Sequence, residues 1–258
     1  MLKNQVGGTT MEEHIFTERR ERVFIVLAGF FLCSMTLLNV IGITRFVQLG
    51  PLQVAVGVLP YPLTFLCTDL ISELYGQKRA NFLVAVGFIL NFFILGVLWI
   101  GSILPAGGEP PPWQVIHLAE EIALPNGSTI SEKVELFQLL YACTSGAVFA
   151  SMMAYMAAQF CDVQLFHFFK KLTKGKHLWL RNNFSTLTSQ MVDSFMVIAV
   201  TFGAVFLAGE ISLTAMAVLM GSNYIFKMLV ALADTLPFYY LTHKIGKYLG
   251  IKDSSVIS

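Results

Sequence analysis

Residues Phe82–Leu104 read FLVAVGFILNFFILGVLWIGSIL, with no charged side chain among them. A helix needs about 20 apolar residues to cross a hydrocarbon core about 30 Å thick, so this stretch alone predicts a membrane span. Similar runs cover Val23–Ile43, Leu52 to about Tyr75, Leu136–Phe160, Phe184–Leu207 and Leu213–Leu241. The whole chain of 258 residues is 55% hydrophobic and only 13% charged, against about 25% charged in a soluble domain. The expected fold class is an all-α integral membrane protein with six transmembrane helices.

The cations set its orientation, because Lys and Arg gather on the cytoplasmic side. Lys3, Arg19, Arg20 and Arg22 precede the first span, and Lys78 and Arg79 follow the second. Lys170, Lys171, Lys174, Lys176 and Arg181 join the fourth and fifth spans, and Lys244, Lys247 and Lys252 close the chain. Of the 17 Lys and Arg residues, only Arg45 and Lys133 fall on the opposite side, and Lys227 lies inside a span. Both termini are expected in the cytoplasm of a multi-pass inner-membrane protein. The expected divisions are a cytoplasmic segment at 1–22, a six-span domain at 23–245 and a cytoplasmic tail at 246–258. The polar first 22 residues, with Glu12, Glu13 and Glu18 among them, do not read as a secretory signal.

Between spans, Pro105–Glu135 is the longest outer connection. Pro110-Pro111-Pro112-Trp113 predicts an extended stretch at the membrane surface, His117–Ile122 a short interfacial helix, and Asn126-Gly127-Ser128 a turn. On the inner side, Phe166-His167-Phe168-Phe169-Lys170-Lys171 mixes aromatics with cations, which suits a helix lying on the bilayer surface.

Polar groups inside the spans need a reason, since an ionised side chain at the helix centre costs roughly 2.5–3.5 kcal/mol on insertion scales. Thr68, Asp69 and Glu73 lie on the second span, Gln190 and Asp193 on the fifth, and Asn223, Lys227 and Asp234 on the sixth. Asn39 and Asn91 sit on the first and third, and Gln159 and Asp162 close the fourth. Asp193 follows Phe184 by nine residues, which at 1.5 Å per residue is about 14 Å into the bilayer, near its midplane. Gln190 precedes it by three residues and shares its face. Asp69, Glu73 and Asp234 fall nearer the inner ends of their spans, either as boundary residues or as site residues. Lys227 is either part of the site or the counter-ion of Asp193. Asn39, Asn91 and Gln159 are either ligand contacts or hydrogen-bonding links between helices. Pro60 and Pro62 remove two backbone donors close together and are expected to interrupt the second span. Such interruptions are tolerated in a membrane where the freed groups face a cavity.

Other chemistry is excluded by what is missing. The net charge is +1, with no basic, aromatic-laced stripe, so no nucleic-acid partner is expected. Cys33, Cys67, Cys143 and Cys161 form no C-x-x-C pair, and the five histidines show no ligand spacing; no metal and no cofactor are expected. There is no phosphate-binding G-x-x-x-x-G-K-[ST] loop, no H-E-x-x-H and no G-x-S-x-G elbow, so the chain does not read as an enzyme. A polar, aromatic-lined cavity without a catalytic grouping is the profile of a transporter or a membrane-embedded binding protein. Leu63-Thr64 precedes Asp69 as Leu187-Thr188 precedes Asp193, at an offset of 124, which is compatible with two inverted three-helix halves.

Five segments taken in order carry a family resemblance. Pro62-Leu-Thr-Phe-Leu-Cys-Thr-Asp69-Leu resembles the proline–phenylalanine–threonine–aspartate block of the queuosine precursor transporter family, part of the broader vitamin uptake transporter group. Gln159-Phe-Cys-Asp162-Val resembles its fourth-span segment, and Ser185-Thr-Leu-Thr-Ser-Gln-Met-Val-Asp193-Ser its fifth-span start. Tyr224-Ile-Phe-Lys227 resembles its sixth-span lysine motif, and Asn39 fits a first-span asparagine. The resemblance spans about residues 23–245. It implies import of 7-deazaguanines (7-cyano-7-deazaguanine, 7-aminomethyl-7-deazaguanine or queuine) that feed transfer RNA modification. The alternative is a substrate-binding membrane subunit that works with a separate ATP-driven partner. A homodimer is compatible with either.

The chemistry of the side chains meets that implication. A deazaguanine carries an N1–H beside an exocyclic amine, and a carboxylate accepts both in charge-assisted hydrogen bonds. A flat ring also wants an aromatic face, worth about 1–3 kcal/mol per stacked base. The candidate substrate-binding residues are Asp193, Gln190, Asp69, Lys227, Asn39, Gln159, Phe65 and Tyr61.

Overall fold

The computed structural model describes residues 6–105, 107–123, 129–172 and 178–251. Six α-helices dominate: α1 (Val6–Val40), α2 (Tyr61–Tyr75), α3 (Gln77–Ile103), α4 (Leu136–Leu172), α5 (Leu178–Leu207) and α6 (Leu213–Tyr248). All but α2 include stretches long and apolar enough to cross a membrane. Their outward faces are apolar: Phe82, Phe92, Phe93 and Trp99 on α3 and Leu229, Leu232 and Leu236 on α6 are all exposed. In water such a surface would be unstable; in hydrocarbon it needs no cover, because lipid tails solvate it.

The second expected span differs most. It is not a broken helix but two kinds of structure in series. Strands β1 (Phe46–Leu49) and β2 (Leu52–Ala55) pair as a hairpin with Leu49 opposite Leu52. Gly50, at φ 59°, takes the first of the two loop positions, where a residue with positive φ is needed and glycine adopts it without strain. A 3-10 turn over Val56–Val58 follows, and then α2 begins. Pro60 is the N-cap of α2 and Pro62 lies in its first turn. Both therefore start a helix, where a missing N–H leaves no hydrogen bond unmade. The 15 residues of α2 reach only about 22 Å, short of the roughly 30 Å of a hydrocarbon core.

Two further expectations are corrected. His117–Ile122 is not helical: β3 (Val115–His117) pairs with β6 (Lys133–Glu135), and β4 (Ile122–Ala123) pairs with β5 (Thr129–Ile130). Val115 and Ile116 are β-branched, and the opposite strand gives their backbone the partners that a single helical turn would lack. Phe166–Lys171 is not a separate surface helix but the end of α4, which runs unbroken to Leu172. The Asn126–Ser128 turn lies outside the described residues.

The chain divides into two compact units. The first holds Met1–Met35, Pro60–Gly87 and Val230–Ser258. Its core is Leu27, Phe31, Cys67, Leu70, Ile71 and Leu83, with Phe238, Leu241 and Ile245 packed against it. At one end of this unit, the Tyr75 hydroxyl donates to the Arg20 carbonyl at 2.8 Å and Arg79 pairs with Glu21 at 3.2 Å. The second unit holds Thr36–Leu59 and Phe88–Leu229. Here α4 packs extensively on α5, and Ile198, Phe202, Met216 and Leu219 form a core shared by α5 and α6. The hairpin belongs to this unit, tied in by Val56 N–H to the Arg45 carbonyl at 2.8 Å and Gly57 N–H to the Gly42 carbonyl at 3.0 Å.

Candidate functional site

The polar residues of the second unit converge on α5 and α6. On α5, Asp193 and Ser194 follow Gln190 by three and four residues and flank its face on either side. On α6, Asn223 and Lys227 are four apart and share a face likewise. The two faces meet where the Lys227 ammonium donates to the Asp193 carboxylate. The side chains of this pair are 4% and 16% exposed. Each helix has thus brought one buried charge, and each charge is compensated by the other.

What surrounds the pair is less complete. Gln190 Oε1, Ser194 Oγ and Asn223 Oδ1 are buried without a hydrogen-bond partner among the described residues. A buried acceptor left unpaired costs about 1–3 kcal/mol, and native proteins contain few of them. All three lie on the two helices that carry the ion pair.

One turn along both helices from the ion pair lies a cavity of about 70 Å³. Phe202 and Thr201 of α5, Asn223 of α6, Ser151 of α4, and Val54 and Gly57 of the hairpin segment line it. Gln53 of β2 adds a further polar side chain, and the walls are otherwise apolar. The volume is well below the ~300–1,000 Å³ of a typical ligand pocket, so a bicyclic ring requires the walls to part. Among the described residues the hairpin wall is held by the Gln53 N–H donating to the Ser222 hydroxyl of α6 at 3.2 Å, by the Phe46 ring against Phe202 of α5, and by its contact with Gly42.

Ser151 is itself positioned. Its hydroxyl donates to Asn39 Oδ1 at 3.2 Å, and Asn39 Nδ2 donates to Asn91 Oδ1 at 2.9 Å. This chain joins α4, α1 and α3 through residues 1% and 5% exposed at Asn39 and Asn91. Both polar ends of the Asn39 carboxamide are engaged within the protein.

Of the expected site residues, the structure therefore groups Asp193, Gln190, Lys227 and Asn39 in one unit. Asp69, Tyr61 and Phe65 belong to the other, on α2. Asp69 and Glu73 are exposed there, and the Tyr61 and Phe65 rings meet edge to face at 4.7 Å between centroids. Asp234, also of that unit, has a buried Oδ2 without a partner among the described residues. Gln159 and Asp162 lie on α4, with side chains outside those described. The candidate substrate-binding residues read from sequence leave out Asn223, noted only as a polar group of the sixth span, together with Ser194 and Ser151. For Asn223 a signal existed, its spacing of four from Lys227; the two serines give none, because a small hydroxyl in a span usually bonds its own helix. Among the described residues no grouping could hold a metal ion.

A helical protein with a lipid-compatible surface, a buried ion pair and unmatched acceptors beside a cavity is a multi-pass membrane protein with an internal polar centre. Comparison with known proteins gives the class a family. The family described as "putative vitamin uptake transporter" matches residues 55–242, and the chain belongs to it. It is similar to a protein of Bacillus subtilis named "probable queuosine precursor transporter", 26% identical over 207 residues, covering 78% of this chain and 77% of that one. No solved structure matches.

Proposed function

We propose that this chain imports queuosine precursors across the inner membrane with both termini in the cytoplasm, its substrate being a 7-deazaguanine base. The observation that carries this reading is the buried Asp193–Lys227 pair ringed by the unpartnered acceptors of Gln190, Ser194 and Asn223. A guanine-type base is rich in N–H donors along one edge. Asp193 accepts the N1–H and the exocyclic amine when the base displaces Lys227. The exchange keeps a donor on the carboxylate throughout, so the charge is at no stage buried bare. The displaced ammonium has an acceptor on the same face of α5 in the carboxamide of Gln190. The similarity to the Bacillus protein supports the same substrate class.

The test is uptake in a bacterium that cannot make queuosine, with each precursor supplied in turn and the modified base measured in its transfer RNA. Expression of this chain should restore modification from at least one 7-deazaguanine at submicromolar supply. No restoration by any of them would refute the reading. Purified protein in liposomes then separates a self-sufficient carrier, which accumulates or equilibrates the base, from a subunit that binds it and moves nothing.

A further inference from the structure

We infer that Asn223 reads the five-membered-ring edge of the base and makes the site selective for the free base over its N9-glycosylated nucleoside. The inference rests on the transport reading above and adds the residue that decides between two forms of the same heterocycle.

Asn223 is 3% exposed, lines the cavity, and its Oδ1 has no hydrogen-bond partner among the described residues. A carboxamide offers one acceptor and one donor group side by side. The five-membered-ring edge of a 7-deazaguanine presents the complementary pair, the N9–H donor next to the N3 acceptor. Asn223 lies one helical turn, about 5.4 Å, from Lys227, and Lys227 marks the position of Asp193. Asp193 stands on α5 and Asn223 on α6, so the gap between the two helices adds to this rise, and a fused bicycle hydrogen-bonded at both ends is longer than the rise alone. A base held by Asp193 at its six-membered edge thus brings its other edge to Asn223. A sugar on N9 would remove the donor that Asn223 accepts and would fill the space its side chain occupies.

Gln190 does not serve as well for this role. It lies on the other side of the ion pair along α5 and does not line the cavity. Ser151, which does, has its hydroxyl proton committed to Asn39 and offers the ligand an acceptor only.

The experiment uses the full chain in lipid nanodiscs, with 7-cyano-7-deazaguanine and its ribonucleoside as probes and direct binding as the readout. The unaltered protein should bind the base at least tenfold more tightly than the nucleoside. Asn223→Leu, which keeps the bulk and loses the hydrogen bonds, should weaken base binding about tenfold and still exclude the nucleoside. Asn223→Ala, which also opens the space, should bring the two affinities within about threefold of each other. Because the Asn223 oxygen has no hydrogen-bond partner among the described residues, Asn223→Leu should melt no lower than the unaltered chain. If the unaltered chain binds the base but both variants keep its affinity and its preference, Asn223 is not the reader and the transport reading stands. If Asn223→Leu melts well below the unaltered chain, the residue links helices and the inference is overturned. If the unaltered chain binds no 7-deazaguanine base, the transport reading fails and the inference with it.

Discussion

Lys227 donates to Asp193 across the α5–α6 contact, the meeting of two helices that each bring one charge to the pair. Removing one partner of a buried pair typically costs 3–5 kcal/mol, because the remaining charge is left uncompensated. Asp193→Asn and Lys227→Met should each lower the melting temperature and the yield of inserted protein. The double variant has no bare charge and should recover both. Binding should not recover with it: the loss of a charge-assisted bond, about 1.5–3 kcal/mol, lowers affinity about tenfold to hundredfold. Stability and 7-deazaguanine binding measured on the two single variants and the double one decide this. A double variant that binds as well as the unaltered protein would leave Asp193 as a neutralising partner only.

Gly57 sits against the end of α1 with no room for a side chain. A Cβ there would lie 2.5 Å from Gly42 Cα and 2.6 Å from the Leu38 carbonyl oxygen. Both are backbone atoms, and the segment that would have to retreat is the hairpin wall of the cavity. Gly57→Ala should destabilise by about 1–3 kcal/mol, the usual range for overpacking. Gly29 is the comparison, since a Cβ at that position meets nothing within 4 Å. Gly29→Ala should be neutral or slightly stabilising, as alanine favours helix. Equal melting temperatures for the two variants would contradict the close packing.

Asn39 spends its carboxamide on Asn91 and Ser151. Interhelical hydrogen bonds of this kind average about 0.6 kcal/mol and reach about 1.7 in membrane proteins. Asn39→Leu should therefore cost at most about 2 kcal/mol. It frees Ser151, so base binding should weaken less than in Asn223→Leu. Thermal melts and binding isotherms on the two variants side by side separate a positioning role from direct contact.

The helices were legible because hydrophobic runs and charge placement follow directly from the cost of burying polar groups in hydrocarbon. The run at Phe82–Leu104 needs only composition to be read, and α3 covers all but its last residue. The segment Phe46–Ala55 was not legible in the same way. Valine, leucine and phenylalanine serve a buried strand and a membrane helix alike, and periodicity cannot separate them over so few residues. Only Gly50-Pro51 distinguished the hairpin. The site was partly legible: Asp193, Gln190 and Lys227 announce themselves by charge or polarity at depth. Asn223 did not stand out from Asn39 and Asn91, because a buried asparagine reads the same in sequence whether its partners are inside the protein or arrive with a ligand. The unpartnered oxygen of one and the engaged carboxamide of the other are facts of packing.

Pro60 and Pro62 begin α2 and break nothing. Proline at a helix start has no intrahelical hydrogen bond to lose, and alanine is acceptable in its place. The double substitution Pro60→Ala with Pro62→Ala should change stability by less than about 1 kcal/mol and leave uptake within about twofold of the unaltered chain. Loss of most uptake, with normal insertion, would mean that the rigidity of this turn matters to transport.

The orientation of the chain rests on its cations, with 17 Lys and Arg residues in all and only Arg45 and Lys133 on the expected outer side. That bias requires the hairpin together with α2 to return the chain to the inner side, although α2 has only 15 residues. Reporter fusions placed after Lys78, Lys174 and Lys247 should report the cytoplasm, and those after Gly108 and Gly209 the outside. The fusion after Lys78 is the decisive one. If α2 and the hairpin formed a re-entrant segment that left on the side it entered, that reporter would read outside. Lys78 and Arg79 would then lie on the wrong side of the charge rule, and every later reporter would be reversed. Insertion scales make that arrangement unfavourable, since the five cations at and between the adjoining ends of α4 and α5 would all have to cross the membrane. Agreement of all five reporters with the expected pattern would fix the path of the chain through the bilayer, and a reversed signal at Lys78 would overturn it.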